Sequence, residues 1–371
     1  MQLVPRPRVL VADDQEDVRL ALDLLLRSEG FDVTAVDSPA GVLSALDERR
    51  YDAALVDLNY TRDTTSGAEG LDLLKHVSSA HPQLPLLVMT AWGTLEIAVA
   101  AMKRGARDFV LKPWENAAVV KALRTQIARD TRAAQDLDLA RRVQTELLPQ
   151  RTPVLRSLDV GARCQQAGAV GGDAFDFIEL GPGRVALALA DASGKGMPAA
   201  LLMANLIGCL RSEVARNADM AVALGTVNRL FHAGTATERY ATLFLASYDD
   251  HDRSLRYANC GHVPPFLLRA DGSLTRLSPT APAIGLFAEW SCEVASLGLG
   301  PGDLLLVASD GLTEANSPSD EAFGDDRLGQ ALRAAPRTDA GAACDAILAA
   351  VGRFAGPGHE DDRTLLVARG R

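Results

Sequence analysis

Four aspartates in the second half of the chain stand where a carboxylate can be aimed into a cleft. Asp173 follows Gly171-Gly172, Asp191 precedes Ala192-Ser193-Gly194, Asp310 precedes Gly311, and Asp361 opens Asp361-Asp362-Arg363-Thr364. Each adjoins an apolar run and a turn, of the kind glycine makes at little steric cost. Oxygen-only donors suit magnesium or manganese rather than zinc. Two such ions about 4 Å apart would make hydroxide from water and clamp a phosphoryl group for in-line attack, so no protein nucleophile is needed. The histidines are few and scattered, and no Ser-His-Asp or Cys-His set can be assembled. A single Asp-Gly pair is a common turn former. The reading therefore rests on four aspartates in order with their flanking residues, against the alternative of acidic turns that hold no metal.

A second acidic set lies near the start. Asp13 and Asp14, Asp57, Thr90 and Lys112 each end a short apolar run, at 8–12, 53–56, 86–89 and 109–111. A further strand is expected over 32–36. Helical spacing fills the intervals at 18–26, 38–46, 71–77 and 95–102, with Ser38 as a cap and Gly30 and Gly105 as stops. This alternation predicts a doubly wound parallel sheet with helices on both faces. The polar residues then fall on the C-terminal edge of the sheet, where such folds bind ligands. Three carboxylates together call for a cation, with magnesium the hard-oxygen default. A nearby lysine can pair with phosphate oxygens, and a hydroxyl one strand away can track the same group.

On these residues the segment from about 8 to 125 resembles the receiver domains of bacterial two-component systems (CheY-like), a five-stranded α/β fold. The resemblance implies that Asp57 accepts phosphate from a sensor histidine kinase. It implies magnesium held by Asp13, Asp14, Asp57 and the Asn59 carbonyl. It also implies a switch made of Thr90, Phe109 and Lys112. The chain departs from the family after Asp57, where a longer polar loop runs from 58 to 69; this loop is expected to fold over Asp57 and slow dephosphorylation.

From 114 to about 148 there is neither Gly nor Pro. Val120, Leu123, Ile127, Ala134 and Leu137 recur at a 3-4 spacing, with Val143 and Leu147 after a phase shift, which predicts one long helix. A dimeric coiled coil and a plain helix packed on its own domain both fit an imperfect heptad. Pro149 and Pro153 end it. Beyond 158, runs of strands and pairs of helices without regular alternation predict an α+β domain with antiparallel sheets.

The ordered phrases around the four aspartates resemble the PPM (type 2C) metal-dependent serine/threonine phosphatases, in particular the SpoIIE/RsbU branch, over about 140 to 369. They include Val170-Gly171-Gly172-Asp173, Asn259-Cys260-Gly261-His262, Ser309-Asp310-Gly311 and the lead-in Val143-Gln144 to Leu147-Leu148-Pro149. The resemblance implies an antiparallel β-sandwich flanked by helices, with Asp173, Asp191, Asp310, Asp361 and the Ala192 carbonyl around two manganese or magnesium ions. Lys195 is a candidate phosphate contact. Asp176 and Asp362 read as supports, and His262 as a turn histidine bonded locally. Ser193 stands where other type 2C enzymes carry a proton-donating histidine, which leaves the proton donor open.

The whole chain, 371 residues, is too long for one ordinary core. The expected domains are a receiver over 1–125, a helical linker over 114–150 and a phosphatase domain over 151–371. The formal net charge of −10 argues against nucleic acid or anionic membrane as partners. Five dispersed cysteines and the absence of an apolar leader or span point to the cytoplasm. The expectation is a response regulator whose output dephosphorylates a STAS-domain anti-sigma-factor antagonist, working as a homodimer through the linker helix. The alternative is an inactive phosphatase fold that serves as a binding module switched by the receiver.

Overall fold

The short apolar runs at 9–12, 53–57 and 86–90 fold as strands buried on both sides, flanked by more exposed edge strands at 32–36 and 108–111. The computed structural model describes residues 6–60, 68–90, 95–236, 238–356 and 361–371; most of the 58–69 loop lies outside them. The chain divides into two compact units, Met1–Asp136 and Leu137–Arg371.

The first unit contains β1 (Arg8–Ala12), α1 (Glu16–Ser28), β2 (Asp32–Val36), α2 (Pro39–Glu48), β3 (Ala53–Asp57), α3 (Ala68–Ala80), β4 (Leu86–Thr90), α4 (Leu95–Lys103) and β5 (Asp108–Leu111). The strands form one five-stranded sheet in the order β2-β1-β3-β4-β5, and every pairing is parallel. Every residue of β3 and β4 is buried, as central parallel strands require. One face packs on Val42 and Leu46 of α2 and Leu74 of α3, the other on Leu22 and Leu26 of α1. Ser38 caps α2 by accepting from the Gly41 N–H at 3.3 Å, with Pro39 in the first turn.

The long helix α5 (Asn116–Leu147) begins in this unit and ends in the second. Its Val119, Val120 and Leu123 pack under the sheet beside Leu22, and Arg107 pairs with Asp130. The first part of the 3-4 seam is thus used within the unit, as a plain helix would use it. Leu137, Leu139 and Val143 are exposed.

The second unit contains β6 (Leu158–Gln165), β7 (Asp173–Gly181), β8 (Arg184–Ala192), α6 (Gly196–Arg216), α7 (Met220–Gly234), β9 (Ala241–Asp249), β10 (Ser254–Cys260), β11 (Phe266–Leu268), β12 (Leu274–Arg276), β13 (Ala295–Gly298), β14 (Leu304–Ala308), α8 (Asp310–Thr313), α9 (Gly324–Ala334), α10 (Ala340–Ala355) and β15 (Arg363–Gly370). Two antiparallel sheets, β13-β10-β9-β8-β7 and β12-β11-β14-β15-β6, pack face to face. Strand β8 shows why. Val185, Leu187 and Leu189 enter the core between the sheets, while Ala186, Ala188 and Ala190 on its other face let α6 and α7 come close. The outer face of the second sheet is covered by α9 and α10. The result is a four-layer sandwich with helices outside. β6 is hidden from a hydrophobicity scan because Gly161 breaks its run; a side chain there would overlap the backbone of Ala340 and Gly341 at the start of α10. Among the described residues, no helix is long and apolar enough to cross a membrane.

Candidate active site

The C-terminal ends of β1, β3 and β5 bring Asp13, Asp14, Asp57 and Lys112 together. Among the described residues, Asp13, Asp14 and Asp57 are the trio whose carboxylate oxygens lie within 4.8 Å of one another. Lys112 Nζ reaches Asp13 Oδ2 at 2.6 Å and Asp57 Oδ2 at 2.8 Å. Burial pushes the Asp57 carboxyl up, against the pull of Lys112, and Asp13 adds to the push. Burial works against the Lys112 charge, but Asp13 and Asp57 outweigh it and its pKa is raised. Asp57 Oδ1 is buried without a hydrogen-bond partner. An acceptor lacking a donor, beside two further carboxylates, fits a hard cation. Thr90 ends β4, buried, Phe109 stands half exposed on β5, and Asn59 follows β3 by two residues.

In the second unit the aspartates gather at one end of the sandwich. Asp173, the first residue of β7, is the direct register partner of Asp191 near the end of β8. Asp310 opens α8 immediately after β14. The Ser309 N–H donates to the Thr364 carbonyl at 2.9 Å and the Thr364 N–H donates to Ser309 Oγ at 3.0 Å, which sets Asp310 beside Asp361 at the entry to β15. Gly311 permits the approach, since a side chain there would overlap the Asp362 carbonyl. The Ala192 N–H donates to the Gly172 carbonyl at 3.0 Å, so the Ala192 backbone lies against the strand that carries Asp173. No three of these carboxylates come within the 4.8 Å of the first trio.

Their electrostatics call for positive charge. Burial, and then Asp191, raise the Asp173 carboxyl well above the usual range, with the Ser309 and Thr364 hydroxyls offsetting part of it. Burial followed by Asp310, Asp361 and Asp362 lifts Asp191 from 3.8 to about 7. Burial and Asp361 raise Asp310. Asp173 Oδ2 is buried with no partner. Such a set fits divalent metal. Lys195 Nζ lies 3.1 Å from Asp361 Oδ2, both side chains being largely exposed. A cavity of about 340 Å³ opens here, lined by Val170, Gly172, Asp191, Lys195, Met197 and Asp361 among others.

Hydrogen-bonded supports complete the site. Asp362 accepts from the N–H groups of Ala167 and Gly172 at 2.8 Å and of Asp173 at 3.3 Å. Arg211 of α6 forks onto Asp176 at 2.6 and 3.1 Å. Gln144 of α5 bonds to both backbone groups of Gly171. The Gln144 phrase was a visible signal; nothing in the sequence marks Arg211. His262 is buried, its N–H donates to Asn259 Oδ1 at 2.8 Å, and its Nδ1 stands 2.8 Å from Thr242 Oγ1.

Residues 181–371 match the family described as Stage II sporulation protein E (SpoIIE), and residues 9–124 match the response regulator receiver domain. Protein IcfG of Synechocystis sp. is 31% identical over 242 residues, 58% of this chain and 38% of the relative. Phosphoserine phosphatase RsbU of Bacillus subtilis is 27% identical over 183 residues, 49% of this chain and 54% of the relative. The chain thus spans about half or less of the length of these two relatives. A solved structure of the PP2C phosphatase domain and a fragment of the regulatory domain of SpoIIE from Bacillus subtilis is 29% identical. It covers 58% of this chain and 62% of its own, with a TM-score of 0.53.

Proposed function

The chain belongs to the Stage II sporulation protein E (SpoIIE) family and carries a response-regulator receiver domain ahead of the matched region, and from that premise we propose that it is a response regulator whose output is a metal-dependent protein serine/threonine phosphatase. The observation that carries this reading is Asp173 opposite Asp191, with Asp310 and Asp361 drawn to the same end of the sandwich. Asp173, Asp191, Asp310, Asp361 and the Ala192 carbonyl would hold two manganese or magnesium ions. Bound there, the ions supply an activated water and neutralise charge on the phosphoryl group.

The remaining work belongs to the chain. Asp173, Asp191 and Asp310 give up their raised affinity for protons when cations arrive, so loading releases protons. Lys195 presents an ammonium at the cavity mouth, where a phosphoserine phosphate enters. Asp362 and the Ser309–Thr364 pair hold the ligand-bearing backbone in place. In the receiver, Asp57 takes phosphate from a sensor histidine kinase. Asp13, Asp14, Asp57 and the Asn59 carbonyl would hold magnesium there, Lys112 would meet the phosphoryl oxygens, and Thr90 and Phe109 would respond. The substrate is a phosphorylated STAS-domain anti-sigma-factor antagonist in the cytoplasm, and the exposed Leu139 and Val143, one turn apart on α5, form part of the seam of a homodimer. RsbU, named a phosphoserine phosphatase, supports the reaction class.

The test is manganese-dependent release of phosphate from phosphoserine STAS proteins, with Asp57 phosphorylated and with Asp57→Asn, and with Asp310→Asn as the inactive control. Absence of wild-type turnover in both receiver states would instead favour a binding module.

A further inference from the structure

The segment that leads into β9 runs between the loop after Asp191 and a second loop that shows apolar side chains to solvent. Ala241 is the register partner of Ala192 on one side. On the other it bridges Ile284, with N–H to carbonyl bonds of 2.9 Å in both directions. One residue back, Tyr240 and Ser193 are joined twice. The Ser193 N–H donates to the Tyr240 carbonyl at 2.9 Å, and the Tyr240 N–H donates to Ser193 Oγ at 3.1 Å. Neighbouring strands lie about 4.8 Å apart, so Ile284 stands about 10 Å from Ala192.

Arg239, half-buried, reaches back over the loop beside Asp191. Its Nη1 donates to the Ser193 carbonyl at 3.4 Å and rests on Gly194, where a side chain would lie 2.8 Å from that nitrogen. Gly194 lines the same cavity as Asp191 and Lys195. Lys195 is engaged by Asp361. Among the described residues no carboxylate pairs with Arg239, so its fork keeps donors for a ligand. Beside it, Tyr240, Leu286 and Phe287 are exposed. The loop that carries Phe287 is nonetheless held from below. Buried Asn228 of α7 donates from Nδ2 to the Phe287 carbonyl at 3.0 Å and accepts at Oδ1 from the Gly285 N–H at 2.7 Å. His232 Nδ1 meets the Gly285 carbonyl at 2.7 Å. An exposed aromatic on an anchored backbone is a preformed contact, which a partner orders at little cost.

We propose that Arg239, Tyr240, Leu286 and Phe287 form a strip that binds the polypeptide around a phosphoserine. Arg239 donates to the phosphate oxygens, and the three apolar side chains seat an apolar residue a few positions along the substrate. The proposal deepens the reading of the second unit as a phosphoprotein phosphatase and rests on it. A guanidinium fork matches phosphate geometry, which suits Arg239 to that contact. An extended peptide advances about 3.3 Å per residue, so a side chain two or three residues from the phosphoserine spans the roughly 10 Å to the Ile284 loop. Contacts made alike to the bound substrate and to the transition state set KM and leave kcat unchanged.

The full chain in manganese tests this with three probes: p-nitrophenyl phosphate, a phosphoserine peptide with leucine two and three residues to either side, and the same peptide with glycine there. Arg239→Ala should raise KM about tenfold for all three with kcat little changed, and Arg239→Lys should fall in between. Phe287→Ser should raise KM for the leucine peptide about fivefold and leave the other two probes unchanged. Binding without turnover is read by fluorescence anisotropy of both peptides on Asp310→Asn, alone and combined with each substitution, and the same losses should appear. Loss of kcat at constant KM in Arg239→Ala would make the arginine only a tether of the Ser193 loop and overturn the proposal. So would a Phe287→Ser that affects both peptides alike or neither, or an Asp310→Asn protein that binds neither peptide. Absence of wild-type hydrolysis with the binding losses as stated would sink the phosphatase reading and leave the strip standing as a phosphopeptide site.

Discussion

Asp173 and Asp191 are register partners across the β7–β8 ladder, both carboxyls in one buried corner of the sandwich. Two carboxylates so placed do not both ionise without a neighbouring positive charge.

Asp191→Asn should therefore stabilise the metal-free protein. The raised carboxyl makes the metal-free fold lose stability as pH rises between 3.8 and about 7. At pH 8 the variant escapes that loss and should gain on the order of 1–2 kcal/mol in urea unfolding with chelator present. Manganese should stabilise the wild type and not the variant. A metal-free variant less stable than the wild type at pH 8 would contradict the electrostatic account.

Lys112 offsets part of the charge of the first acidic trio, lying 2.6 Å from Asp13 Oδ2 and 2.8 Å from Asp57 Oδ2. Lys112→Met leaves buried carboxylates unpaired and should destabilise the receiver transition by about 3 kcal/mol. Magnesium should restore part of the loss. Urea midpoints measured in chelator and in magnesium check both statements, and an unchanged midpoint in chelator would refute the first.

Burial lowers the His262 pKa from 6.5 to about 4, so the ring stays neutral in the fold. Its contribution to stability is complete above 6.5 and is lost as pH falls from there towards 4, because the unfolded chain takes up the proton first. The loss should reach on the order of 3 kcal/mol. Unfolding of the wild type and His262→Gln at pH 7 and pH 4.5 should show a steeper decline in the wild type; parallel declines would remove His262 as the cause.

Lys195 and Asp361 are both largely exposed, so their pair adds little to stability. Lys195→Ala should shift unfolding by less than about 0.5 kcal/mol. If the ammonium meets the substrate phosphate, KM for a phosphoserine protein should rise several-fold with kcat little changed. A variant with unchanged KM would leave Lys195 as a solvated turn residue.

The strand-end positions of the receiver were legible because a doubly wound sheet turns each strand end into a site position. Asp13, Asp57, Thr90 and Lys112 can be placed from apolar runs alone. The long helix was legible from the absence of Gly and Pro, but its surroundings were not. Val120 and Leu123 pack within the first unit while Val143 is exposed, and the 3-4 spacing is the same for both. β6 is not legible in the hydrophobic pattern, because Gly161, which interrupts it, admits the backbone at the start of α10.

Local pattern carries the two fold classes, the order of the first unit's elements and the acidic residues themselves, because side-chain periodicity and turn chemistry are local properties. Which groups share a corner follows from the packed fold: Asp191 against Asp173, Ser309 against Thr364, Gln144 against Gly171, Arg211 against Asp176 and Leu147. Such partners lie tens to nearly two hundred residues apart in some cases, as with Asp362 and Gly172. Sheet register and helix packing bring them together, and no local pattern encodes either.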